Sequence, residues 1–401
     1  MAFNYFENAS NIGSAGFANG NTSTVVPAHQ LGNLERAGPD GKLRGVDFVG
    51  SPSLTVSPSG NSAAVNGIQN LTRHQIYENH PVGQVVYTAP MVNINGGDTI
   101  YWTVPNNIYS ICVVCVGGGG GGVGATTYGG GGGGGGLVWM NDIAVKPGHV
   151  MPFQVGSGGA KAQQPSTNAR ATSGGDTWFV HPSFLRATGG QGGIRANTSN
   201  SNQTTGGVDI VNSGNAYSQT LSNVKLSRVS ESSNITLWGT SGGGHGGRVA
   251  TYNQVGGGGG AGGYTGDGGH AGRYISSNNN TGNDGAGGGG GGGGRDNQSY
   301  HGAGGGVGLL GAGSNGTGGT GGNVASSGTG GSGGGDGGNP VTLAPVANNA
   351  GGAFGGLYGG GGAGAEAAGN TADIAGDGGH GGIRIIWGPN RAFPSTNTGD
   401  L

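Results

Sequence analysis

The stretch Tyr128–Val145, YGGGGGGGGLVWMNDIAV, runs an unbroken glycine octamer, Gly129–Gly136, straight into a short apolar segment that reads as a β-strand. A second octamer, Gly287–Gly294, follows later, in a chain where 105 of 401 residues are glycine. Eight glycines have no side chain to bury, and they lose more backbone entropy on ordering than any other octamer. Such a segment is ordered only if backbone packs on backbone.

Three architectures produce tracts of this kind. Collagen requires glycine at every third position with abundant proline. Here the glycines are clumped and there are 15 prolines, which excludes it. A flexible linker mixes glycine with serine and lacks apolar punctuation. Here Tyr, Leu, Ile, Val and Trp interrupt the tracts. The third architecture is a bundle of extended glycine helices (polyglycine type II), with three residues per turn, a rise of about 3.1 Å per residue and no internal hydrogen bonds. Their N–H and C=O groups point sideways and need partners. Glycine allows neighbouring segments close enough to supply them. The sequence therefore predicts an all-β fold with almost no α-helix: a small β-sandwich with a long inserted bundle of polyglycine type II helices.

The formal net charge of −2 and a charged fraction of 8% give no basic stripe for nucleic acid and no polybasic or amphipathic helix for a membrane surface. No apolar run approaches the ~20 residues of a membrane helix. The opening MAFNYFENAS has neither a charged n-region nor an apolar h-region, so no secretory signal is expected.

Four regions follow from the pattern. Residues 1–85 are polar and rich in Asn, Ser and Gly, and are expected to form an attachment or oligomerisation region. Residues 86–188 carry short β-branched and aromatic runs (VVYTAP, TIYWTVP, SICVVCV, GLVWMNDIAV, VMPFQVG, DTWFV, SFLRA) bounded by turn residues. A hairpin-type turn is expected at Lys146-Pro147-Gly148-His149. The sandwich is expected to be completed by 383–388, where Ile383, Ile385 and Trp387 share one strand face. Residues 189–382 read as the glycine-rich bundle, with polar inserts at Arg195–Thr240, Arg273–Asp284, Arg295–His301 and Asn339–Asn349; 389–401 read as a tail.

Cys112 and Cys115 mimic a C-x-x-C motif, but on a strand positions i and i+3 point to opposite faces. They read as inert core residues. The tags GDGGHAG (Gly266–Gly272), GDGGN (Gly335–Asn339) and GDGGHGG (Gly376–Gly382) place Asp267 three residues before His270 and Asp377 three before His380. On a threefold helix these share a face about 9 Å apart, too far for a catalytic dyad, so cross-segment hydrogen bonds or tract-end turns are the expected role. The tags do not keep the frame of a calcium-binding nonapeptide repeat. No P-loop lysine, dinucleotide-binding βαβ pattern or nucleophile elbow is present. No enzyme, no cofactor and no metal are expected.

Trp238, Tyr252, Tyr264, Tyr274, Tyr300, Phe354 and Tyr358 lie in or beside tracts and inserts. Rigid aromatics among Asn, Ser, Arg and His suit a recognition surface; aromatics also suit shielding of the bundle. Shielding is expected of Phe354 and Tyr358, whereas Trp238, Tyr274 and Tyr300 fit either role. The candidates for receptor contact are Trp238, Tyr274, Arg295, Tyr300 and His301.

Glycine tracts separated by variable polar loops resemble the receptor-binding adhesins at the tips of T-even-type phage tail fibres. The passages WTVP…SICVVCVGGGGGG, GGGGGGGGLVWMNDIAVKPG and GIRIIWGP resemble glycine-rich domains of marine phage structural proteins. The likeness covers about Thr99–Pro389; the N-terminal 85 residues and the β-sandwich depart from the adhesins. It implies a virion-surface protein whose polyglycine scaffold presents loops to a host glycan or outer-membrane protein. Its partners would be other virion fibre or structural subunits, in an assembly that includes a homo-oligomer such as a trimer. A purely structural fibre, decoration or filament subunit is the alternative. An ice-binding protein would need a flat face of regularly spaced small residues, which the bulky inserts oppose.

Overall fold

The computed structural model describes residues 81–88, 99–124, 129–162, 170–194, 245–247, 256–272, 281–295, 301–321, 325–338, 352–365 and 375–394, and the backbone of further short strands outside these ranges. Two compact units divide at His80/Pro81. In the first, the described residues are a two-stranded antiparallel pair, Glu35–Ala37 with Lys42–Arg44.

The second unit begins with a two-sheet sandwich. Its strands are β1 (Gly83–Thr88), β2 (Ile100–Thr103), β3 (Ser110–Val116), β4 (Leu137–Ala144), β5 (Val150–Gln154), β6 (Thr177–Phe179), β7 (Leu185–Ala187), β8 (Ala216–Val224), β9 (Ser233–Gly244) and β10 (Gly382–Trp387). One antiparallel sheet has the order β8-β9-β4-β3-β10-β1, the other β7-β6-β5-β2. The described residues contain no α-helix, and the fold is all-β.

Strand alternation builds the core. Val113 and Cys115 of β3, Val138 and Met140 of β4, and Ile383 and Ile385 of β10 face Met151, Phe153, Phe179 and Leu185 of the second sheet. Trp387 joins this face as expected, its ring 5.7 Å from that of Trp102. The other face of β3, with Cys112, Val114 and Val116, packs with Trp139 and Ile386 under Tyr264, Val307, Leu309 and Phe393. The two cysteines therefore lie in different cores. Both are free and buried, and burial pushes the Cys112 thiol up to about 11.

The turn at Lys146–His149 is present: His149 N donates to Lys146 O at 3.1 Å, and Gly148 takes φ +79°. It joins strands of different sheets, β4 and β5, so it is a crossover between layers and not a hairpin.

The tracts are continuations of the strands. Val116 pairs with Leu137 at the end of the β3/β4 ladder. Beyond it Gly117 N donates to Gly136 O, Gly120 N to Gly133 O and Val123 N to Gly130 O, in the same antiparallel register but at every third residue. The intervening N–H groups go elsewhere: Gly118 and Gly121 to Gly175 O and Thr172 O, Gly119 and Gly122 to Gly379 O and Gly376 O. The carbonyls of Gly118, Gly119 and Gly120 accept from Gly190, Gly159 and Gly362. One tract thus donates to three segments in rotation and accepts from three others. A repeat of three is that of the extended threefold helix, where a strand ladder repeats every two. Segment 289–295 obeys the same rule: Gly290 N and Gly293 N donate to Ala261 O and Gly258 O, and Gly291 N and Gly294 N to Thr329 O and Ser326 O.

Three expectations need correcting. The lattice is no separate insertion within 189–382, because segments 117–136, 156–162 and 170–175 already belong to it and interleave with the sandwich strands. The insert Arg195–Thr240 contains β8 and most of β9, which extend the larger sheet. The second octamer is not one extended segment: Gly287 and Gly288 take φ +55° and +81° in a reversal closed by Gly289 N to Ala286 O, which only glycine enters without strain.

Candidate functional site

The lattice has two unlike ends. At the sheet end the chain reverses in short turns, such as Gly263–Gly266, Ala286–Gly289 and Gly331–Gly334, each closed by a backbone hydrogen bond. Tyr264, from the first of these, packs onto the β3 face together with Val307 and Tyr358. Tyr264 is a core residue, its hydroxyl donating to Gly308 O at 3.0 Å and accepting from Gly311 N at 3.1 Å.

The opposite end carries the polar inserts. Hydrogen bonds, joined through chain neighbours, tie the segment ends there to one level: Val123 to Gly130, Ala162 to Gly122, Gly122 to Gly376, Gly256 to Gly129, Gly364 to Gly256, Gly258 to Gly302, Gly302 to Gly294, and Gly294 to Ser326. The residues that flank 126–128, 164–169, 273–280, 296–300, 322–324 and 367–374 all stand at or beside this level. Every one of these inserts therefore departs from the same end of the bundle.

Of the sequence-derived candidates, the described residues include the backbone of Trp238 and the side chains of Arg295 and His301. Trp238 lies on β9, its backbone opposite Ser218, in the sheet beyond the Gly244–Leu137 pair where the lattice begins. Arg295 and His301 flank the insert 296–300 but are buried, 3% and 0% exposed. A side chain without accessible surface cannot meet a partner, so these two belong to the base of the insert and not to its display surface. Burial, aided by the Arg295 guanidinium, pushes His301 down to about 3. Tyr274, Tyr300 and Tyr252 lie outside the described residues. Tyr358 packs as expected, whereas Phe354 is 50% exposed with the Lys161 ammonium 5.1 Å from its ring centroid.

The lowered His301 value has a definite sign. The folded state holds the imidazole neutral below the ordinary 6.5, so its contribution is complete above pH 6.5 and is lost progressively as pH falls toward 3. The thermal midpoint is expected to drop between pH 7.5 and 4.5, and to drop less in His301→Gln. An equal drop in both proteins would place the acid sensitivity elsewhere.

Sequence reading missed what the polar residues inside the tracts do. Where a segment has no neighbouring tract, a side-chain oxygen or nitrogen takes its N–H. Asp267 Oδ1 accepts from His245 N, Asp284 Oδ1 from Gly318 N, Asp336 Oδ1 from Gly330 N and Asp176 Oδ1 from Gly189 N. Asp284, expected in an insert, is thus part of the lattice. The tag Gly376–Gly382 shows why its spacing is three. Asp377 Oδ1 accepts from Lys161 N at 2.8 Å and His380 Nδ1 from Gly158 N at 3.0 Å, so acceptors three apart meet donors three apart. The tag residues are lattice caps and form no dyad, the role their spacing implied. Among the described residues no group of three or more His, Cys, Asp or Glu is arranged to hold a metal ion. No helix among them is long and apolar enough to cross a membrane.

Comparison with curated proteins finds no match. A family model described as a glycine-rich domain matches residues 94–308, from the approach to β2, through most of the sandwich strands, to just past the bridge of Val307 with Gly331. The match covers more than half of the sequence and places the chain in this family: it belongs to the glycine-rich domain proteins.

Proposed function

We propose that the protein is a display module of a virion tail fibre or surface adhesin, in which the glycine lattice presents its inserts to a host glycan or outer-membrane protein. The observation that carries this reading is the common departure of the inserts from one end of the bundle. A lattice held by backbone bonds tolerates variation in segments that contribute nothing to it. Tyr274 and Tyr300 are the aromatic anchors of the surface, with Arg295 and His301 as its buried footing. No bond-making step enters this function, and it calls for no cofactor. The sandwich and the N-terminal unit attach the module to other virion subunits, in a homo-oligomer such as a trimer.

The test exchanges 274–280 and 296–300, separately, for glycine-serine stretches of equal length and measures binding to a panel of bacterial cells and glycans. Binding is expected to fall at least about tenfold for one of them, as for loss of an interface anchor, with an unchanged thermal midpoint. Native binding after exchange of every insert overturns the reading. The structural-subunit alternative draws on a different feature, Phe354 and Leu357, which stand 50% and 48% exposed three residues apart on one segment. Self-association that is lost in a Phe354→Ser variant, without loss of folding, would favour it.

A further inference from the structure

From the geometry at His380 we infer that this residue is an acid-sensitive latch holding the edge arm 156–162 onto the bundle, so that protonation releases one strut of the arm that leads into the insert 164–169.

Gly158 N–H points at His380 Nδ1 across 3.0 Å. Only an imidazole without a proton on Nδ1 can accept this bond. Every other strut on the arm uses a group that keeps its acceptor at mildly acid pH: Gly156 N meets Thr177 Oγ1, Gly159 N meets Gly119 O, Ala160 N meets Thr172 Oγ1, and Ala162 N meets Gly122 O. Lys161 N meets the Asp377 carboxylate. Among these acceptors His380 Nδ1 is the one whose single lone pair is consumed outright by one proton.

The charges around the ring define where it goes. Asp377, on the same segment, is held by Lys161 N and by the Lys161 ammonium at 3.6 Å. The reversal bearing Tyr358 packs alongside through Gly359 N to His380 O. Segment 117–122 brings no ionisable group. Asp176, just before β6, and Arg186, on β7, are engaged with each other at 3.3 Å. A proton on Nδ1 turns acceptor into donor, so donor faces donor at Gly158, while the new positive charge is drawn to Asp377 in competition with Lys161. Burial lowers the affinity of the ring for that proton and Asp377 partly restores it. The latch is therefore closed at neutral pH and opens in acid.

This inference stands whichever partner the inserts meet. The test follows exchange of the Gly158 amide by NMR from pH 7 to 4.5. Gly118 and Gly121, bonded to Gly175 O and Thr172 O, serve as internal references that cancel intrinsic rate and global stability. Gly158 protection is expected to fall about fivefold or more relative to them, the scale of one lost hydrogen bond. His380→Gln supplies an acceptor that does not titrate, and should show no relative fall. A flat ratio in the native protein, or an equal fall in His380→Gln, overturns the latch. Should His380→Gln fail to fold, the native protein still decides: the Gly158 amide resonance must shift with the titration midpoint of the His380 ring. A Gly158 resonance indifferent to that titration rejects the proposal.

Discussion

Replacing Gly290 by valine is expected to abolish the native fold, and alanine at the same position to cost more than about 4 kcal/mol, beyond the usual range for overpacking. A Cβ built at Gly290 lies 2.1 Å from Gly305 O and 2.6 Å from its carbonyl carbon. Both obstructing atoms are backbone, so no side chain can turn away. Gly305 N in turn donates to Gly291 O, so displacing that segment breaks the bond that defines its position. The loss spreads because Gly290 itself donates to Ala261 O, and Ala261 lies in the core over β3. Ser314→Ala, at an exposed position, is the matched control and should fall within about 0.5 kcal/mol of the native protein. Thermal and denaturant unfolding of the three proteins check this. A Gly290→Ala protein as stable as the control would mean that the tract is not packed as described.

Adding one glycine between Gly119 and Gly120 is expected to be more damaging than adding three. This inverts the ordinary expectation that longer insertions disturb more. Along this segment the partner changes with each residue and returns after three: Gly117 and Gly120 address 136 and 133, Gly118 and Gly121 address 175 and 172, Gly119 and Gly122 address 379 and 376. One extra residue turns everything beyond it by roughly 120°, the rotation per residue of a threefold helix. Each following N–H then meets the wrong neighbour, and Val123, fully buried at the end of the segment, points into a different one. Three extra residues restore the phase and displace the far end by about 9 Å along the axis, toward the end where the inserts depart. The single insertion should lose most of the cooperative unfolding transition. The triple one should keep the native amide spectrum at the sheet end, with a modest drop in midpoint. Equal damage from both would show that phase is not what the lattice enforces.

Much of the fold is legible in the residues for reasons tied to local period. β10 is recognisable from Ile383, Ile385 and Trp387 alone, because alternation on an isolated strand survives any packing. Cys112 and Cys115 separate into two cores for the same reason. The tag spacing in GDGGHGG already carried the lattice period, and the structure shows what it serves. Other features were not legible. β8 and β9 sit in a polar, serine-rich stretch without strong alternation, and their place in the larger sheet depends on Gly242, Gly243 and Gly244 continuing the ladder opposite Leu137–Trp139. Arg295 and His301 look like surface residues by type, yet both are buried where segments converge. No single-residue property announces that.

The sequence by itself determined the chemistry of cohesion. Tracts without side chains can be ordered only by backbone hydrogen bonds between closely approaching segments, and the apolar runs beside them can only be strands. The three-residue spacing of Asp377 and His380 already pointed to cross-segment hydrogen bonds, whereas the capping role of Asp176, Asp284 and Asp336 did not show in the sequence. What only the tertiary structure decided is the pairing. Identical glycines carry no information about which tract lies beside which, since one N–H is as good a donor as another. Partner choice is imposed by the sandwich, whose side chains fix the register of Val116 against Leu137 and Gly382, and the lattice extends that register outward. The same propagation decides which end of the bundle is capped by the sheet and which end carries the inserts.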